Sequence, residues 1–155
     1  MTRGVFGIRK NGTDKLNYSN SDSFPWSLGK DVLLFISRHT IEELNRYYDN
    51  AVTEETENDV TTEIDDWTLN DIFYMDTVDG FIQNSLFCEY GYIINLDDSV
   101  LEVWKGFQKE PDENNRYGTQ QKNGYYPCKC VMKIDLKDIS EETAESYVTA
   151  MENLM

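Results

Sequence analysis

The sequence predicts an α+β domain: an antiparallel sheet or sheets of about five strands with helices packed on them, for which a layered αββα-like arrangement is one form. Three observations carry this. Apolar residues alternate with period two along Tyr90–Leu96, Val100–Phe107 and Tyr125–Leu136. They recur at helical spacing in 28–36, 41–48 and 144–151. Asn-Gly pairs at Asn11-Gly12 and Asn123-Gly124 mark tight turns next to strands. A chain of 155 residues fits one domain, 1–155.

The elements follow in order. Val5–Lys10 and Lys15–Tyr18 form a hairpin about Asn11-Gly12, and Gly4 and Gly7 point to close backbone approach. After a polar connection, Leu28, Val32, Phe35 and Ile36 share a helix face that Ser27 can cap. A second helix starts at Thr40, where Thr40 and Glu43 form a capping box and Ile41, Leu44 and Tyr48 make the buried stripe. Residues 53–66 hold seven acids and read as an acidic loop. Thr68 caps a short helix with Leu69, Ile72 and Phe73, and helical spacing resumes over Val78, Phe81, Ile82 and Leu86. Tyr90–Leu96 and Val100–Phe107 pair about Asp97-Asp98. Residues 110–124 form an exposed polar loop. Tyr125–Leu136 is a strand with Cys128, Cys130, Met132, Ile134 and Leu136 on one face. A last helix, capped by Ser140, buries Ala144, Tyr147, Val148 and Met151.

The charge is concentrated. Residues 47–104 contain fifteen Asp and Glu and no Lys or Arg, against a net charge of −15 for the whole chain. The flanks nearly balance: seven basic and five acidic in 1–46, seven and nine in 105–155. Aromatic residues make up 13% of the chain, which argues for an ordered core, so this acidity sits on a folded protein rather than on a disordered tail. Such a balance disfavours binding to nucleic acid or to an anionic membrane, where Lys and Arg supply the affinity. It favours a basic protein partner, including one whose nucleic-acid-binding groove an acidic face can occupy. The partner-binding residues expected are Glu54, Glu55, Glu57, Asp59, Glu63, Asp65, Asp66, Asp71, Asp76 and Asp79. No basic start with an apolar run marks a signal peptide, and the longest apolar stretch is Val32–Ile36, so a cytoplasmic location is expected.

No motif calls for a metal or cofactor, and none is expected. Cys128-x-Cys130 with Cys88 lacks the ligand number and spacing of a zinc site, and cysteines on an apolar strand face act as small hydrophobes. His39, the single histidine, closes a helix without a nucleophile in its pattern. The acidic run lacks the Gly and spacing of a calcium loop. Thr2 offers one catalytic alternative. With Met1 removed, its hydroxyl is a nucleophile and its own amine a base, at the start of a strand.

The segments Thr2-Arg3-Gly4, the Asn11-Gly12 hairpin, and Tyr18-x-x-x-Asp22-Ser23-Phe24-Pro25-x-x-Leu28-Gly29 resemble a widespread group of uncharacterised proteins frequent in bacteriophages and mobile elements. That group shares a Thr-Arg-Gly start and an Asp-Ser-aromatic-Pro-x-x-Leu-Gly stretch. The resemblance covers about the first 29 residues. Where the group often carries Asn-His-aromatic after the Tyr18 equivalent, this chain has Ser19-Asn20-Ser21. It implies a phage or mobile-element accessory protein, and with the charge it implies an inhibitor of a basic, nucleic-acid-binding host defence protein. The order of two strands then two helices is also similar to N-terminal-nucleophile hydrolases. That likeness implies the alternative of a small amide hydrolase using Thr2, supported by Arg3 and Asp22.

Overall fold

The computed structural model describes residues 2–19, 22–53, 73–74 and 78–155. The chain opens with β1 (Gly4–Lys10) and β2 (Thr13–Ser19), paired antiparallel. Asn11 and Gly12 both take positive φ, 53° and 72°, as a two-residue turn matched to strand twist requires. A π-helical turn over Pro25–Gly29 leads into α1 (Lys30–Ser37), and α2 follows at Ile41–Asn50. Two-residue strands β3 (Val52–Thr53) and β4 (Phe73–Tyr74) pair parallel. Then come α3 (Val78–Phe81), β5 (Tyr90–Asn95), β6 (Val100–Lys105), β7 (Lys129–Asp135) and α4 (Ala144–Asn153).

Five strands make one sheet in the order β2-β1-β5-β6-β7. Three of its seams are antiparallel, as hairpins and short returns allow. The β1–β5 seam is parallel, so the sheet is mixed, because the helices and the acidic segment intervene between these strands. Phe6, Ile8, Tyr92, Ile94, Leu101, Val103 and Ile134 pack with Val32, Leu33, Phe35, Leu44, Tyr47, Val148 and Met151, which places the helices on one face. The other face is covered by irregular segments: Val5, Leu16, Ile93 and Trp104 pack with Ile82, Cys88, Tyr117 and Cys128. Among the described residues this gives one helix layer on one five-stranded sheet, where two stacked sheets would be needed for αββα. Both faces are covered, so all six residues of β5 are buried, the alternate set included.

The local chemistry explains where elements begin and end. The Thr40–Glu43 capping box forms: Glu43 N donates to Thr40 Oγ1 at 3.2 Å, and Thr40 N donates to Glu43 Oε1 at 2.9 Å. At the other end of α2, Lys15 Nζ donates to the carbonyls of Tyr48 and Ala51.

Several boundaries differ from expectation. Ser27 caps nothing; the helical run already starts at Pro25, with Phe24 at the N-cap and no side-chain cap bond. On α2, Tyr47 is buried and Ile41 is 47% exposed, so the inner face is rotated toward Tyr47. β7 begins at Lys129, after Pro127, which lacks the N–H a ladder needs. A bulge between Val103 and Trp104 shifts the β6–β7 register. Cys128 and Cys130 therefore pack with the irregular layer, while Ile134 and Leu136 join the helix core. The last helix begins at Ala144, one turn past the reciprocal Ser140–Thr143 hydrogen bonds.

Candidate functional site

Five of the fifteen acids in 47–104 have described side chains, and each is tied into the fold. Asp49 pairs with Lys10 at 2.9 Å. Glu89 accepts from Arg3 N at 3.0 Å. Asp97 accepts from both turn amides, Asn11 N at 2.7 Å and Gly12 N at 2.9 Å, and these bonds hold its carboxyl below the ordinary range. Asp98 accepts from Asn95 Nδ2, and Glu102 is buried against Arg116. Glu54, Glu55, Glu57, Asp59, Glu63, Asp65, Asp66, Asp71 and Asp76 lie outside the described residues, as does the expected Thr68 cap. Asp79 falls on the backbone of α3. β3 and β4 pair Val52 with Phe73 and Thr53 with Tyr74, and β4 lies against β2, the edge strand of the sheet.

The two halves of the N-terminal motif meet in space. Thr2 is 5% exposed, and its Oγ1 accepts from Ser23 N at 2.6 Å. Ser23 Oγ donates to Thr2 O, and the buried Tyr92 hydroxyl donates to Ser23 O at 2.8 Å. Leu28 N donates to Asp22 O, closing the turn. A Cβ on Gly4 would sit 2.6 Å from Tyr90 O and 2.9 Å from Ser23 Cβ, so the motif needs glycine there. Arg3 turns away, its guanidinium 5.5 Å above the Phe87 ring, and Asp22 is exposed. The geometry makes Thr2 a brace between the first strand and the Ser23 turn.

His39 lines a groove of about 570 Å³ together with Ile36, Leu44, Asp98, Asp135 and Lys137. Its Nδ1 lies 2.7 Å from Phe35 O, and its ring packs against Phe35 at 4.3 Å and Tyr47 at 5.3 Å. These bonds close the C-terminal end of α1, which is a structural use of the imidazole.

A buried charge network, missed in the sequence, lies on the irregular face of the sheet. Arg116 grips Glu102 with two bonds, Nη1 to Oε2 at 2.7 Å and Nη2 to Oε1 at 2.6 Å. Arg116 Nη2 also donates to the Tyr117 hydroxyl, which donates to Asp14. Asp14 pairs with Arg9 at 2.8 Å. Asn95 Nδ2 and Trp104 Nε1 complete the partners of Glu102. Burial pushes the Glu102 carboxyl up, but the bonds from Arg116 and Asn95 outweigh it and leave the group below its usual range. Burial and the Asp14 charge push the Tyr117 hydroxyl well up. The 110–124 stretch is therefore not wholly exposed: Tyr117 is 8% exposed and the Arg116 side chain 26%, because Glu102 draws them onto the sheet. The available signal was a glutamate inside the apolar strand Val100–Lys105.

Cys88 and Cys128 are fully buried, and Cys128 Sγ donates to Cys88 O at 3.3 Å. Burial pushes the Cys88 thiol well up, which suits packing rather than reactivity. Among the described residues no three His, Cys, Asp or Glu are grouped to hold a metal ion, and no helix is long and apolar enough to cross a membrane. No family model matches the chain, and no curated protein or solved structure matches it.

Proposed function

We propose that this chain is a non-catalytic acidic binding protein that docks on a basic protein surface. One observation carries the reading: fifteen acids and no Lys or Arg in 47–104. The five acids of that stretch with described side chains have local partners, and the reading rests on the ten from Glu54 to Asp79 that the sequence singles out. Long-range attraction of this kind speeds encounter and weakens as salt screens it. The N-terminal resemblance supports a phage or mobile-element accessory role. A basic, nucleic-acid-binding host defence protein is the partner class whose groove such a surface fits. The brace at Thr2 supports a structural role for that residue in place of a nucleophile's.

The test is capture of host proteins on the immobilised chain at low and high salt, beside a variant carrying Glu54→Lys, Glu55→Lys, Glu57→Lys and Asp59→Lys. The expected result is a basic protein retained at low salt, released at high salt, and lost in the variant while its circular dichroism is unchanged. Undiminished retention by the variant refutes the proposal.

A further inference from the structure

Three large aromatic side chains stand out in solvent near the start of β5 and the end of β6: Trp26 is 54% exposed, Phe87 42% and Phe107 42%. Two of them belong to one connected strip. Trp26 stacks on Phe24 at 5.5 Å with the rings nearly parallel, and Phe24 packs on Tyr90 at 5.6 Å. Lys105 Nζ sits 4.6 Å above Tyr90 and 4.8 Å above Phe107, and Phe107 meets Tyr125 at 6.1 Å. Tyr90 itself is buried, so the exposed rings of Trp26 and Phe107 flank a buried ring and the Lys105 ammonium at the Tyr90–Lys105 end of the β5–β6 pair.

Phe107 is also held against its own preference. Its φ is 57°, a left-handed conformation that a bulky residue rarely adopts. Two backbone bonds and one to a side chain hold it there: Gly106 N to Glu89 O at 2.8 Å, Phe107 N to Ser85 O at 2.8 Å, and Gln108 N to the Ser85 hydroxyl at 3.2 Å. A Cβ on Gly106 would lie 1.9 Å from Cys88 O, so the segment is pressed against 85–89. A strained backbone that projects an aromatic ring outward fits a binding role better than a packing role.

Resting on the docking reading above, we infer that this strip is the specificity element of the interface and that the exposed rings of Trp26 and Phe107 stack on arginine side chains of the basic partner. The molecule already shows what its rings accept: Lys105 lies over Tyr90 and Phe107, and Arg3 lies over Phe87. A planar, weakly hydrated guanidinium stacks better than an ammonium. The net charge of −15 opposes the other occupants of such a strip, since it repels nucleic-acid phosphates and a second copy of the chain.

The test uses fluorescent oligo-arginine and oligo-lysine peptides of equal length, titrated by anisotropy at low salt against the wild type and the double variant Trp26→Ala/Phe107→Asn. Asparagine tolerates the left-handed backbone, so the fold should survive; circular dichroism checks this, and Trp26→Gln/Phe107→Gly is the reserve pair. The wild type should bind oligo-arginine about tenfold tighter than oligo-lysine. The double variant should lose that preference while its affinity for oligo-lysine moves less than about twofold. Equal, salt-sensitive binding of both peptides by the wild type, or a preference that survives the double variant, overturns the inference and leaves the docking reading standing. No binding of either peptide overturns both. Self-association abolished by the same double variant assigns the strip to a second copy and overturns the inference.

Discussion

Arg116→Met tests whether the charge network holds the 110–124 stretch to the sheet. The Glu102 side chain is 1% exposed and that of Arg116 is 26% exposed. Removing one partner of a fully buried pair costs about 3–5 kcal/mol. Here the cost falls near the lower end, about 3 kcal/mol, because Glu102 keeps its bonds to Asn95 and Trp104. At about 3 °C per kcal/mol for a domain of this size, the thermal midpoint drops by about 9 °C. Replacing both partners, Glu102→Leu with Arg116→Met, leaves Asp14 held by Arg9 and Tyr117, takes the Glu102 acceptor from Trp104 Nε1, and leaves Asn95 Nδ2 with Asp98. That double variant should cost less than Arg116→Met alone, with a coupling energy of about 2–3 kcal/mol. Urea unfolding, followed by tryptophan fluorescence and far-ultraviolet circular dichroism, measures all four corners of the cycle. The pH dependence has a definite sign. Glu102 sits below its unfolded value, so its contribution is present above the ordinary carboxylate range of about 4.3 and is lost as pH falls through the folded value. The gap between wild type and Arg116→Met should therefore close on acidification. A loss under about 0.5 kcal/mol for Arg116→Met, or single costs that simply add, refutes the account.

Thr2→Ala removes the buried hydrogen bond from Ser23 N to Thr2 Oγ1 and should cost about 1–3 kcal/mol in urea unfolding, while Thr2→Ser should restore most of it. Asp97→Ala removes the acceptor for both turn amides and should lower the thermal midpoint. Because Asp97 is held below its usual range, that deficit should be full near neutral pH and fade as pH falls through the folded value. Phe107→Asn relieves left-handed strain of about 1 kcal/mol and should raise the thermal midpoint by about 3 °C, read by calorimetry. A fall instead means that the ring packs more than its exposure suggests.

What the sequence made legible was local. The Asn11-Gly12 turn, the Thr40–Glu43 box and the inner face Leu28, Val32, Phe35 and Ile36 each depend on neighbours a few residues apart, and each forms. What it hid was long-range. Nothing near Val5 or Ile93 says that these strands run parallel, and nothing in the polar 110–124 stretch says that Tyr117 ends up buried beside Asp14. The bulge at Val103/Trp104 turned Cys128 and Cys130 to the other side of the sheet, which no period-two pattern can report. Thr2 shows the same limit. Its type and place fit a nucleophile, and its hydroxyl accepts from Ser23 N, twenty-one residues away, a contact no local pattern reports.

The parallel seam between β1 and β5 has a consequence for synthesis. The first hairpin is complete once Ser19 emerges, but the strand it must join starts at Tyr90. At translation rates of roughly 5–20 residues per second, that edge stays open for about 4 to 14 seconds. An open strand edge is a template for wrong pairing between nascent chains. The residues made during the wait are the acid-rich ones, so crowded ribosomes would carry mutually repelling intermediates. The same carboxylates would then act as a built-in solubility tag while the chain is still being made.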